Sequence, residues 1–208
     1  MWKIADIEKN KIKYFENAAS GKTITNIMDC IDYANAMSRE IYLNNLTPAS
    51  AETIEKIIRF WNNIDDIEPT SITNRKPINI YIDSFGGSLN AAFTIVDIIK
   101  NSKTPVYTIN IGVCQKEALY PYLAGHKRYA YPRSSFYLDK NIERLDLSEG
   151  QSNYEDFIKK QALEVKDMVL EATKITEIDY ENRKGWWLTA DKANELLVCH
   201  EVLRNKII

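Results

Sequence analysis

An α/β domain built on a mainly parallel sheet is the fold class this sequence predicts, and three observations predict it. Strand-like and helix-like segments alternate over about 170 residues, the order that gives parallel pairing with helical crossovers. The strand candidates are short alternating runs such as Ile78-Asn79-Ile80-Tyr81-Ile82. The helix candidates place apolar residues at i, i+3, i+4 and i+7, as Ile54, Ile57, Ile58 and Trp61 do.

Glu40 to Leu43 reads as the first strand. Thr47-Pro48 then starts a helix, with a hydroxyl at the N-cap and proline at the first helical position. A polar loop from Asp65 to Pro77 leads into the Ile78–Ile82 strand. Asp83-Ser84-Phe85-Gly86-Gly87-Ser88 turns the chain into a helix with Leu89, Ala92, Phe93, Val96 and Ile99 on one face. Pro105 begins the next strand and Gly112 ends it, and a helix follows to Gly125. A short strand pair, Arg128 to Tyr131 and Phe136 to Leu138, precedes a long helix from Ser152 to Thr173. Its narrow stripe (Ile158, Ala162, Val165, Val169, Ala172) is flanked by Lys and Glu and suits pairing with another helix. Thr189 caps a last helix, Ala190 to Leu196, and Val202-Leu203 reads as a closing strand. Before all this, Ile24 to Ala36 forms a short helix candidate.

The composition excludes several function classes. The chain has 27 Lys+Arg against 29 Asp+Glu, for a net charge of −2, so it carries no basic footprint for nucleic acid. No apolar run approaches the roughly 18 residues of a membrane span. The charged N-terminus does not read as a signal peptide. Cys30, Cys114 and Cys199, with His126 and His200, lack metal-ligand spacing, so no metal or cofactor is expected. The cysteine count fits thiols in a reducing cytoplasm. Gly21-Lys22-Thr23 ends like a phosphate-binding loop, but Glu16 stands where that motif's first glycine belongs and would repel a phosphate.

The stretch Ile111-Gly112-Val113-Cys114-Gln115-Lys116-Glu117-Ala118 is a strand-turn-helix junction, the framework that holds a nucleophile against a substrate carbonyl. It offers Lys116 where acyl transfer wants serine or cysteine. Taken with Arg39-Glu40-Ile41-Tyr42-Leu43, Ile80-Tyr81-Ile82-Asp83-Ser84-Phe85-Gly86-Gly87-Ser88, Leu123-Ala124-Gly125, Lys127-Arg128-Tyr129-Ala130-Tyr131-Pro132 and Leu188-Thr189-Ala190-Asp191-Lys192-Ala193, the chain resembles the family of Clp protease proteolytic subunits, ClpP, within the crotonase-like superfamily. The resemblance implies a ClpP/crotonase-like fold over residues 39–208, with a parallel-sheet core and a protruding handle helix. Residues 1–38 form a divergent N-terminal segment, longer than the family's axial-pore segment and unlike it.

By the family's spacing, its nucleophilic serine falls on Lys116, its histidine base on Asp139 and its orienting aspartate on Gly185. An ammonium has no lone pair for attack, aspartate with a pKa near 4 is a poor base for a hydroxyl, and glycine orients nothing. The resemblance therefore implies no enzyme but a pseudo-serine-peptidase, a structural or regulatory ring subunit acting alone or in mixed rings with active ClpP subunits. Either a Lys116–Asp139 ion pair fills the site, or these positions have drifted to whatever fits. Gly86 and Gly87 match the loop that aligns a peptide by β-pairing, with Gly87 and Glu117 giving the two oxyanion-hole amides. A tight strand-to-helix turn alone would also require them. Tyr81 keeps one aromatic of the family's docking pocket for an AAA+ unfoldase, while Asn79 and Asn101 stand where two others are usual, so that docking should be weakened. The long helix matches the handle through which two heptameric rings interlock. Two other functions stay open: a crotonase-superfamily enzyme using Glu117 or Asp139 as its base, and a modulator that binds a host's Clp machinery.

Overall fold

The computed structural model describes residues 35, 37–67, 71, 74–139, 152–183 and 185–204, with the side chains of α4 from residue 156 onward. The Ile24–Ala36 helix apart from Asn35, the Gly21-Lys22-Thr23 segment and Cys30 lie outside the described residues, as does nearly all of the segment 1–38. In chain order the elements are β1 (Glu40–Leu43), α1 (Pro48–Ile67), β2 (Ile78–Ser84), α2 (Leu89–Lys100), β3 (Val106–Gln115), a 3-10 turn (Lys116–Ala118), α3 (Leu119–Ala124), β4 (Lys127–Ala130), β5 (Ser135–Asp139), α4 (Ser152–Ala172), α5 (Glu177–Asn182), β6 (Gly185–Thr189), α6 (Ala190–Glu195) and β7 (Glu201–Val202). The sheet runs β1-β2-β3-β4-β7 with all neighbours parallel, and β5 joins β3 in parallel before pairing antiparallel with β6.

The helices start where side chains can cap them. The Thr47 hydroxyl accepts from the Ser50 amide at 3.1 Å, and the Ser50 hydroxyl accepts from the Thr47 amide at 3.0 Å, a reciprocal cap for α1. Ser88, Thr176 and Thr189 cap α2, α5 and α6 by accepting from the third amide onward. One face of the sheet (Ile41, Leu43, Ile78, Ile80, Ile82, Val106) merges with the helices into the main core. The opposite face carries a smaller cluster, Tyr81, Ile109 and Leu203, flanked by Tyr107, Ile111, Tyr129 and Tyr131.

β3 is the strand that positions the site, and it continues past Gly112 to Gln115, three residues further than the sequence predicts. Its first half, Tyr107 to Asn110, pairs with β4, while Val113 to Gln115 pairs with Ser135 to Tyr137 of β5. The predicted pairing of β4 with β5 is thus replaced by separate pairing of each with β3. At the fork the fully buried Asn110 amide donates to the Ser135 carbonyl at 2.9 Å and accepts from the Gly112 amide at 3.2 Å. Gly112 does not stop the strand. Its missing side chain makes room for the Asp83 carboxylate, which accepts from the Val113 amide at 2.9 Å.

Two charged groups are buried in the framework. Arg128, 8% exposed, donates to the carbonyls of Leu123, Ala172, Leu197 and Val198 at 2.7 to 3.3 Å, and so gathers the C-terminal ends of α3, α4 and α6. Those ends carry the negative pole of each helix, so the guanidinium needs no carboxylate there. Burial lowers its pKa from the ordinary arginine value, yet it stays a cation. The Arg128 amide also donates to His200 Nδ1 at 3.0 Å, and burial, with the charges of Arg128 and Lys127, holds the His200 pKa down. At the other end Arg39 pairs with Asp65 through two contacts, 2.5 and 2.8 Å, and stacks over Trp61 at 4.1 Å. The loop predicted from Asp65 is therefore still helix as far as Ile67, because Asp65 is an internal ligand for β1 and not a solvated loop residue.

Candidate active site

Lys116 sits at the end of β3 with φ at +52°, in the left-handed region that a side chain other than glycine seldom adopts. The 3-10 turn Lys116–Ala118 and α3 follow at once, so the chain reverses within one residue and lifts that side chain out of the sheet. This is the geometry of a nucleophile elbow, and Lys116 is exposed on it. A β-carbon placed on Gly86 would stand 3.1 Å from the Lys116 Cβ, so the elbow and the glycine loop face one another.

The loop itself is held in a conformation that only glycine takes easily. Gly86 and Gly87 have φ of +107° and +148°. The Ser84 hydroxyl accepts from the Gly86 amide at 3.3 Å, and Leu46 forms a single parallel bridge to Gly87, with the Ser88 amide donating to the Leu46 carbonyl at 2.9 Å. A side chain at Gly87 would overlap the Leu46 carbonyl oxygen. Gly87→Ala should therefore add about 1–3 kcal/mol of backbone strain on top of that collision. The expected results are a lower urea midpoint and a displaced loop, and an unchanged midpoint would show the loop is not fixed this way.

Asp139 and Gly185 face each other at the end of the β5–β6 ladder, and the Gln115–Tyr137 register places both beside the elbow. The structure thus brings the three predicted positions, Lys116, Asp139 and Gly185, to one end of the sheet. Of the two readings of these positions, the Lys116–Asp139 ion pair is not formed: Lys116 enters no ion pair among the described residues. The reason is burial, since Asp139 is 7% exposed in the ladder while Lys116 stands in solvent. The carboxylate that meets the glycine loop is that of Glu117. Its Oε2 accepts from the Gly87 amide at 3.0 Å. Below them the buried Tyr120 phenol is pushed well up, first by burial and then by Tyr180, Glu117 and Asp139.

Sequence reasoning missed three groups here. Asp83 fixes the backbone of Val113. Tyr137 lies so that its hydroxyl fills the space a side chain at Gly185 would need, and its ring packs at a tilt of 37° against Trp187, centroids 4.7 Å apart. Phe85, at 71% exposure, projects from the glycine loop. The signal for the first two was in the glycines, since Gly112 and Gly185 each mark a place where a neighbour occupies the missing side chain.

The predicted docking residues divide between two surfaces. Tyr81 and Asn79 share the sheet face opposite the helices, where Tyr81 stacks on Tyr42 at 5.0 Å. Burial, followed by Glu40, Tyr42 and Tyr131, pushes the Tyr81 phenol up to about 12. Among the described residues, the Asn79 amide oxygen is buried there without a hydrogen-bond partner. Asn101 instead closes the C-terminus of α2 by donating to the Asp97 carbonyl at 2.8 Å, and lines a groove between α1 and α2. Among the described residues, no helix is long and apolar enough to cross a membrane.

Comparison with known proteins decides the family. The family model for Clp protease matches residues 69–206, more than half of the chain. The chain belongs to the Clp protease family. It is 27% identical over 191 residues to the ATP-dependent Clp protease proteolytic subunit 2 of Treponema denticola, covering 89% of this chain and 92% of that one. It is 30% identical over 128 residues to the proteolytic subunit 2 of Prochlorococcus marinus, covering 58% of this chain and 62% of that protein. The fold matches a ClpP1 mutant from Listeria monocytogenes with a TM-score of 0.69 at 21% identity, over 85% of this chain and 97% of the other. That match bears out the expected fold class. The expectation that the chain is not an enzyme is corrected by these relatives: they are named as proteolytic subunits, which points to a peptidase.

Proposed function

We propose that this Clp protease family chain works as a ring-forming peptidase subunit that holds peptide at the Phe85–Ser88 loop beside the Lys116 elbow. It does so alone or in mixed rings with other Clp peptidase subunits, where it also has a structural or regulatory part. The observation that carries this reading is the elbow and loop standing together: Lys116 at φ +52° faces Gly86 and Gly87, both in conformations kept for glycine. A strand-to-helix turn elsewhere needs neither the left-handed lysine nor a facing glycine loop.

The long helix α4 supports assembly. Val165 and Val169 anchor it to the core, while Phe157 and Leu163 are 52% and 57% exposed. Apolar side chains left on a charged helix fit a contact with another subunit, and they are the candidate seam between two rings. The aromatic sheet face around Tyr81 is the candidate dock for an ATP-driven unfoldase, and buried Asn79 lowers its affinity for an apolar loop.

Sedimentation or light scattering on the purified protein tests the reading. The expected particle is a heptameric ring or a pair of them, and Phe157→Glu with Leu163→Glu is expected to leave single rings. A monomer at micromolar concentration would sink the ring reading.

A further inference from the structure

We propose that the Gly87 amide and the Lys116 elbow form a receptor for the free C-terminal carboxylate of a peptide, with Glu117 as its internal occupant. The inference rests on the peptide-handling reading above and specifies which end of the peptide is held.

The loop already binds a carboxylate. Glu117 Oε2 lies 3.0 Å from the Gly87 nitrogen and accepts its proton. The same oxygen lies 2.5 Å from where a β-carbon on residue 86 would be, so the bare backbone of Gly86 is what lets a carboxylate come so close. Donor and shape are therefore both fitted to this group, through two separate residues. Charge-assisted bonds of this kind are about twice as strong as neutral ones, so the fit favours a carboxylate over a carboxamide.

The occupant can be exchanged. Glu117 is only half-buried, on a three-residue turn, and an incoming carboxylate would replace its hydrogen bond one for one. Lys116 then adds what Glu117 alone lacks. Its flexible stem begins beside Gly86, its ammonium is exposed, and it enters no ion pair among the described residues. The exposed Phe85 ring, next to Gly86, offers an apolar surface for the last side chain of the peptide. A peptidase generates such a carboxylate at every bond that it cuts, so the site would hold a product end.

The test uses fluorescein-labelled pentapeptides with an apolar last residue, made as the free acid and as the C-terminal amide. Each is titrated with the full-length protein and followed by anisotropy. The acid is expected to bind more tightly than the amide. Glu117→Ala should tighten binding of the acid about tenfold, the worth of one charged hydrogen bond, with little change for the amide. Lys116→Met should reduce the preference for the acid and leave the part that the Gly87 amide supplies. Circular dichroism and particle size, matched to the parent, show that each variant is folded. Equal binding of acid and amide by Glu117→Ala would overturn the receptor and leave peptide binding intact. Failure of both peptides to bind any form would overturn both readings of the loop, and a monomer would count against the ring alone.

Discussion

Arg128→Met is expected to destabilise the protein by about 4 kcal/mol, because four carbonyls, two in buried and two in part-buried hydrogen bonds, lose their donor and each costs roughly 1–3 kcal/mol when left unmade. The guanidinium holds the carbonyls of Leu123, Ala172, Leu197 and Val198, so the loss falls on three helix ends together. Methionine fills much of the volume and offers no proton. Since a domain's total stability is about 5–15 kcal/mol, the variant should be close to unfolded at room temperature. Arg128→Lys should recover part of the loss, since an ammonium can reach only some of the four acceptors at once. Urea unfolding followed by circular dichroism measures both. A loss under about 1 kcal/mol for methionine would show that water replaces the guanidinium, which its burial argues against.

The second large effect belongs to Asp65. Asp65→Asn should cost about 3–5 kcal/mol near neutral pH, the usual penalty for breaking a buried pair and stranding its partner. Arg39 and Asp65 side chains are only 9% and 4% exposed, and Arg39 would lose its counter-charge and one of its two acceptors there, replaced by an amide NH2 that is a donor like itself. The pH dependence has a definite sign. Burial raises the Asp65 carboxyl pKa, but hydrogen bonds from Arg39 and Thr104 and the charges of Arg39 and Arg75 outweigh it, and the net shift is downward. A lowered folded value means stability that is present above the unfolded pKa of about 3.9 and lost as the pH falls below it. The gap between wild type and Asp65→Asn should therefore be constant from neutral pH to about 4 and narrow below that. A gap independent of pH down to 2.5, roughly a unit and a half under the unfolded value, would mean Asp65 is not the titrating group.

What was legible in the sequence depended on the range of the interaction that wrote it. The alternation of Ile78 to Ile82 and the stripe of Ile54, Ile58 and Trp61 are local patterns, and the structure has both as expected. The Lys116 elbow was legible too, because a strand followed directly by a helix start leaves one residue to make the turn. Asp65 was not: its helical state is set by Arg39, 26 residues away, and a polar residue near Pro and Asn reads locally as loop. Gly112 read as a strand end for the same reason, since Asp83 lies 30 residues earlier. β6 was missed because Gly185 and two tryptophans show no alternation of polar and apolar residues, and its pairing comes from β5. At the site, the contacts were not legible in the sequence. The family resemblance singled out Lys116, Asp139 and Gly185, which the structure sets at one end of the sheet, but it did not show that the Glu117 side chain would accept from the Gly87 amide.

The carbonyls that Arg128 collects carry one more consequence, for the order of events during synthesis. Three of the four come from residues 44, 69 and 70 positions later in the chain, and β7, which borders β4, comes later still. A chain leaving the ribosome N-terminus first can form β1 to β4 and α1 to α3 while this guanidinium has only Leu123 to bind. Until Val198 has emerged, a full positive charge sits unpaired at the rim of the growing sheet and keeps that rim wet. The same residue that locks the finished domain thus finds its last acceptor only once Val198 has been made.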